Sequence, residues 1–288
     1  MFGNEIEIIR LIQSIRNEYF DIFFKILNFF DSHTFFYLLL PIMWVGYNKK
    51  FGLKLTCILL LSSLVNEFLK ITFQLPRPFH IDPTLFVIAV KGFSFPSGGA
   101  QSAVLLPLVF IDQFKGNKWP KIIGILFFIL ISLSRMYLGL HYLSDVLAGW
   151  IVGFLIFLIY KFGFSYLEKI LGNKPIWFFW IYQILILPFL FIPKTSTYGF
   201  AFLGLIFGVL LSNITFTNLS NPKNFKEFFV RSIFVISGIL LLFFFYKLMD
   251  KRFMFFDFST LAYLVGLWIS FICPFCYLKV FSKKKLRG

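Results

Sequence analysis

Charged side chains are scarce in this chain, at 14% of 288 residues, where a soluble domain carries about 25%. No polar stretch is long enough to build a separate soluble domain. The cysteines number three. Cys273 and Cys276 form a C-P-F-C sequence inside the last apolar run, and Cys57 lies in an early one. A redox pair or metal knuckle needs a soluble fold and further ligands, so these are read as packing residues. Carboxylates and histidines form no cluster at metal-ligand spacing, so no metal and no cofactor are expected. No basic domain stands clear of the apolar runs, which argues against a nucleic-acid partner. Neither an internal repeat nor an inverted pair of broken helices is visible, which counts against a secondary transporter. The first residues, MFGNEIEIIRLIQSIRNEYF, are too acidic and broken for a cleaved signal peptide.

What is abundant is apolar surface: 59% of residues are hydrophobic and 45 are Phe. Runs long enough to cross a ~30 Å hydrocarbon layer recur along the whole chain. The expected fold class is therefore all-α, a polytopic membrane protein whose main partner is the bilayer. Residues 5–30 predict an amphipathic helix at the interface or entering the bilayer obliquely. Spans are expected near 34–47, 52–70, 98–114, 120–138 and 143–163, and four more near 175–193, 198–216, 228–249 and 258–281. This divides the chain into a core over 1–170 and additional C-terminal helices over 171–288. For those helices, a lipid-access groove and homodimer formation are both open roles.

The net charge is +15, and its distribution orients the chain. Lys49, Lys50, Lys54, Lys115, Lys118, Lys121, Lys161, Lys169, Lys174, Lys223, Lys226 and the basic tail all fall on one side if the spans alternate. That side is expected to be cytoplasmic, although Lys247, Lys251 and Arg252 lie opposite. The long 71–96 segment and the turn at 139–143 then face outward, toward the periplasm if the membrane is a bacterial inner membrane.

Three segments on that outward face carry polar residues at membrane depth, where ionisable groups are costly and a functional role is the default reading. In the first, Lys70 ends a span and Arg77 follows before Pro78. An Arg fork and a Lys point charge can together grip a phosphate, although a lone Lys there merely snorkels. The second is Pro96-Ser97-Gly98-Gly99, where a loop becomes a helix. Ser97 can cap that helix, and the glycines let a phosphate approach the free N–H groups. Its bland alternative is a capped helix with a small-residue packing face. The third holds Ser134, Arg135, His141 and Asp145. His141 and Asp145 stand four apart, so on a helix they share one face. The carboxylate can then fix the imidazole tautomer and leave the other nitrogen free to attack.

Together these segments resemble the type-2 phosphatidic acid phosphatase (PAP2) superfamily, whose motifs run K-x6-R-P, P-S-G-H and S-R-x5-H-x3-D on a six-helix membrane core. Lys70, Arg77 and Pro78 match the first, Pro96, Ser97 and Gly98 the start of the second, and Ser134, Arg135, His141 and Asp145 the third. The resemblance covers roughly residues 20–165. It implies a metal-independent lipid phosphatase with a lipid phosphate or diphosphate as substrate. Lys70, Arg77, Arg135, Ser97, Gly98 and Gly99 would hold the phosphoryl oxygens. His141 would form a phosphohistidine, with Asp145 orienting it. Transfer to an acceptor other than water is a close variant.

The chain departs from the family at Gly99, where the second motif ends in His, the general acid for the leaving group. Losing such an acid costs about 10²–10⁴-fold with a poor leaving group. Three readings follow. The leaving group needs no proton, as with a diphosphate. Or another residue supplies it, with His80 as candidate donor. Or the chain is a catalytically impaired binder of lipid phosphates.

Overall fold

A computed structural model describes residues 3–166, 219–248 and 258–282, with short stretches between 200 and 212. The spans expected near 175–193 and, for the most part, 198–216 lie outside the described residues. Among the described residues every regular element is helical. Among the described residues, five stretches are long and apolar enough to cross a membrane: Lys49–Ile81, Trp119–Tyr137, Leu143–Tyr166, Phe225–Leu248 and Thr260–Phe281. A sixth arises if the bent pair Glu18–Asp31 and Thr34–Tyr47 counts as one span. The chain is an integral membrane protein.

It divides into two compact units, Met1–Phe36 with Cys57–Tyr166, and Tyr37–Thr56 with Leu167–Gly288. Residues 37–56, which the sequence places in the core, therefore cluster with the C-terminal part. The cause is local packing: a Cβ on Gly46 would lie 2.6 Å from Ser232 Oγ and 3.3 Å from the Phe228 ring.

The first unit is built in chain order. α1 (Gly3–Gln13) and α2 (Glu18–Asn28) replace the single N-terminal helix expected. The break comes at Asn17, whose extended backbone and side chain cap α2 by accepting from Phe20 N at 2.9 Å. α3 (His33–Pro41) and α4 (Lys49–Phe73) follow, and boundaries between the units fall within both, after Phe36 in α3 and after Thr56 in α4. A short α5 (Pro78–Ile81) lies in the long connection, started by Pro78 at its first position. α6 (Gly98–Gln113), α7 (Trp119–Tyr137) and α8 (Leu143–Leu158) complete the unit.

Small residues let these last three helices meet closely. A Cβ on Gly149 of α8 would lie 2.6 Å from Ser97 O and 3.0 Å from Ala100 Cβ, and a Cβ on Gly153 would strike the Gln101 carbonyl. On α7, a Cβ on Gly124 would come within 2.9 Å of Pro107. This spacing is the small-xxx-small arrangement by which membrane helices gain van der Waals contact. α1 is docked rather than adrift at the interface. Ile9 is buried among Leu85, Ala100, Met136, Tyr142 and Val146. Gln13 Nε2 donates to Tyr137 O at 2.7 Å and Leu85 O at 3.0 Å, and Glu5 accepts from Ser144 N at 2.8 Å at the start of α8.

In the second unit the described helices are α9 (Phe225–Leu248), α10 (Phe258–Leu267) and α11 (Cys273–Ser282). Arg231 on α9 is buried, pairs with Glu227 at 2.5 Å, donates to Ser220 O at 2.6 Å and lies over the Tyr277 ring. Trp268 Nε1 donates to Val235 O at 3.0 Å.

Because Gly149 faces backbone rather than a yielding side chain, even one methyl must push α8 away from α6. Gly149→Ala is expected to cost about 1–3 kcal/mol, visible as a lower thermal midpoint in detergent. An unchanged midpoint would contradict this packing.

Candidate active site

Four helix ends of the first unit converge: the C-terminus of α4, the N-terminus of α6, the C-terminus of α7 and the N-terminus of α8. Each sequence motif supplies one or two of these ends, and the long connection between α4 and α6 is folded onto them by its cations.

Lys70 Nζ donates to Phe93 O at 2.7 Å and Ser94 O at 3.4 Å. Arg77, which precedes α5, is nearly buried and ties its own segment to two other stretches of backbone. Its Nε donates to Gly92 O at 3.0 Å, its Nη2 to Lys91 O at 3.3 Å and its Nη1 to Leu140 O at 3.1 Å. Carbonyl acceptors compensate a guanidinium that low dielectric would otherwise penalise.

The same Nη1 lies 3.3 Å from His141 Nε2. Guanidinium has donors only, so Nε2 must be the unprotonated nitrogen and the ring proton belongs on Nδ1. Nδ1 faces Asp145 Oδ2 and Ser94 Oγ, each 3.5 Å away. Ser94 Oγ in turn donates to Asp145 Oδ2 in a short hydrogen bond, and Asp145 Oδ2 also accepts from Tyr142 N at 2.8 Å. Burial, and then the charges of Arg77, Lys70 and Arg135, hold the His141 ionisation well below the usual imidazole range. The ring is therefore neutral at pH 7, with a lone pair on Nε2.

His141 and Asp145 do meet, though not by sharing a helical face. α8 begins at Leu143, so His141 stands in the turn before it. Asp145 occupies the third helical position and reaches back to the Tyr142 amide, as a capping carboxylate does. Gly139, at φ +69°, makes that turn possible, and a side chain there would strike the Leu85 carbonyl.

Ser97 caps α6, its Oγ accepting from Ala100 N at 3.3 Å, and its own N–H donates to Asp145 O at 3.0 Å. Gly98 and Gly99 are the first two residues of the helix. A buried polar network secures this helix start against α4. Gln101 Nε2 donates to Ser62 Oγ at 2.6 Å and Ser62 O at 2.8 Å, while Asn66 Nδ2 donates to Gln101 Oε1 at 3.0 Å and Pro96 O at 3.3 Å.

Arg135 is 1% exposed. Its Nε and Nη2 donate to Ser134 Oγ at 3.1 and 2.8 Å, and its Nη1 donates to Asn28 Oδ1 at 2.9 Å and Asp31 Oδ2 at 2.8 Å. Asp31 also accounts for Gly99. A Cβ at position 99 would lie 2.7 Å from Asp31 Oδ2 and 2.8 Å from Arg135 Cδ.

Lys70, Arg77, Ser97, His141 and Asp145 are thus linked through shared hydrogen bonds. His80 is placed differently. It is exposed, and its Nδ1 accepts from the Arg77 amide at 3.4 Å, capping α5. Sequence reasoning missed Ser94, Asn28, Asp31 and the Ser62–Asn66–Gln101 network. A carboxylate ending an apolar helix was the available signal for Asp31; Ser94 carries none.

Residues 51–168 match the model of the PAP2 superfamily. An undecaprenyl-diphosphatase of Sulfolobus acidocaldarius is 32% identical over 36% of this chain and 51% of its own length. Phosphatidylglycerophosphatase B of Bacillus subtilis is 33% identical over 41% of this chain and 59% of its own. The chain spans about half the length of these relatives. Among solved structures, Aquifex aeolicus LpxE is 26% identical, covering 54% of this chain and 93% of that one, with a TM-score of 0.49. Residues 51–168, which carry all three motifs and the His141–Asp145 pair, are the part of this chain that is similar to the PAP2 superfamily.

Proposed function

We propose that this protein hydrolyses a phosphate ester or diphosphate of a lipid-like substrate through a phosphohistidine on His141, at the outer face of the membrane. The observation that carries the proposal is the setting of His141. Its unprotonated Nε2 lies 3.3 Å from Arg77 Nη1, while Nδ1 faces Asp145 and Ser94. A nucleophilic lone pair beside a buried cation is an arrangement suited to attack on an anion.

A phosphoryl group entering here meets Arg77, Lys70 and Arg135 and the first N–H groups of α6. Each of these stabilises charge on the transferring oxygens. Attack by Nε2 makes the ring cationic, and the Nδ1 proton is then shared toward the carboxylate of Asp145, which supports that charge. Water on the phosphohistidine releases phosphate. These cations are themselves the charge clamp, so the reaction is read as metal-independent.

The lipid character of the substrate rests on the surroundings and the relatives. Phe68, Phe73, Ile81 and Phe86, close in sequence to Lys70 and Arg77, are exposed apolar groups that suit an acyl or prenyl chain. The two relatives are named as a diphosphatase and a phosphatidylglycerophosphatase. The outward orientation rests on the lysine distribution.

His141→Ala is expected to abolish phosphate release while leaving the thermal midpoint near that of the wild type. Asp145→Asn should slow release by about 10²–10⁴-fold, and Ser94→Ala by about tenfold, the scale of one hydrogen bond. Chelator should change none of these rates. Wild-type activity in His141→Ala would overturn the mechanism.

An ordinary imidazole is mostly protonated at about pH 6. His141 titrates below that range, so the sign is fixed: it stays neutral there, protonated on Nδ1 alone. Nitrogen NMR of the labelled imidazole at that pH checks this, and an imidazolium signal would contradict it.

A further inference from the structure

We propose that Asp31 is the proton-transfer residue of this site, an inference that rests on the phosphoryl-transfer reading above. Three geometric facts point to it. First, its carboxylate fills the space a side chain at position 99 would occupy, 2.7 Å from the ideal Cβ, at the start of the helix that receives the phosphoryl group. Gly99 and Asp31 are thus two halves of one steric arrangement. Second, the same oxygen, Oδ2, lies 2.8 Å from Arg135 Nη1, so the carboxyl already touches a cation that a phosphoryl oxygen would take over. Third, the Asp31 side chain is 24% exposed while its partner is 1% exposed, which gives the carboxyl a path to water that Arg135 lacks.

The other candidates are committed elsewhere. Asp145 is engaged by Ser94, the Tyr142 amide and the Nδ1 side of the imidazole, opposite the attacking nitrogen. His80 caps α5. Asn28 Oδ1, 2.9 Å from Arg135 Nη1, keeps the guanidinium in place when Asp31 lets go of it.

Substrate enters as a phosphate monoanion and its oxygens engage Arg135, and its proton passes to the displaced Asp31 carboxylate. His141 Nε2 forms a bond to phosphorus as the bond from phosphorus to the leaving oxygen breaks. That electron pair goes to the leaving oxygen, which takes the proton from Asp31. Water then attacks phosphorus and gives its proton to the Asp31 carboxylate. The N–P bond breaks with its electron pair returning to Nε2, and phosphate departs as the monoanion after taking that proton back from Asp31, which leaves the carboxylate free to pair with Arg135 again.

The test compares a long-chain alkyl phosphate, whose alkoxide must be protonated, with p-nitrophenyl phosphate, whose phenolate leaves unaided. Full-length protein in detergent is assayed as wild type, Asp31→Asn and Gly99→Ala. Asp31→Asn should lose about 10²–10⁴-fold in kcat/KM on the alkyl ester and less than about tenfold on the aryl ester, which also serves as the control for folding. Gly99→Ala, which displaces the carboxylate without removing it, should show the same selectivity in milder form. Equal losses on both esters in both variants would mean that Asp31 only holds Arg135, and would overturn the proposal; so would no loss on either. A wild type that releases no phosphate from either ester, nor from a prenyl diphosphate run beside them, would overturn the phosphoryl-transfer reading and this inference with it; turnover of the diphosphate alone would overturn the inference and leave that reading standing. Turnover of the esters by the wild type leaves the comparison to judge Asp31 alone.

Discussion

The structure of the first unit depends on how Arg77 is buried. A guanidinium brought to this depth must find acceptors, and it finds three on two separate pieces of backbone, at Lys91 and Gly92 and at Leu140. One side chain therefore fastens the long connection after α4 to the turn before α8. His141 follows Leu140 directly, so its ring is carried to the same guanidinium. The electrostatic cost of the cation and the placement of the imidazole are solved by one set of contacts. Lys70 repeats the device on a smaller scale at Phe93 and Ser94, which brings the Ser94 hydroxyl to Asp145.

Around this knot the helices are held by smallness rather than by bulk. Apolar area alone gives no drive to associate inside a lipid layer. α6, α7 and α8 instead approach through Gly149, Gly153 and Gly124, and α6 is fixed to α4 by the Ser62–Asn66–Gln101 hydrogen bonds. Gly99 belongs to the same pattern but meets a carboxylate rather than a helix. The open end of α6 is thereby bordered by Asp31 and the Arg135 it pairs with.

Much of this was legible in the sequence because membrane depth makes polar residues conspicuous. Lys70, Arg77, Ser97, Arg135, His141 and Asp145 stood out against apolar neighbours, and their spacing placed them at helix ends. His141 and Asp145 do lie together, but not on one helical face as their spacing suggested. The contact is made by a capping carboxylate reaching back over a turn, which periodicity cannot express. Ser94 was invisible because its role depends on where Lys70 and Arg77 pull the connection. Asp31 lay between the amphipathic segment, residues 5–30, and the first expected span, more than a hundred residues from the arginine it pairs with. The span at 34–47 was visible, but which unit it packs with was set by Gly46 and Ser232, a contact no local pattern announces.

The central claim is that His141 carries the phosphoryl group. The direct measurement is to mix the protein briefly with a radiolabelled lipid phosphate, stop the reaction in alkali, where phosphohistidine survives, and map the label by peptide mass spectrometry. The account predicts label on the peptide containing His141, at the imidazole, which chases away as phosphate is released. Release of phosphate with no label on His141 at any time would contradict it.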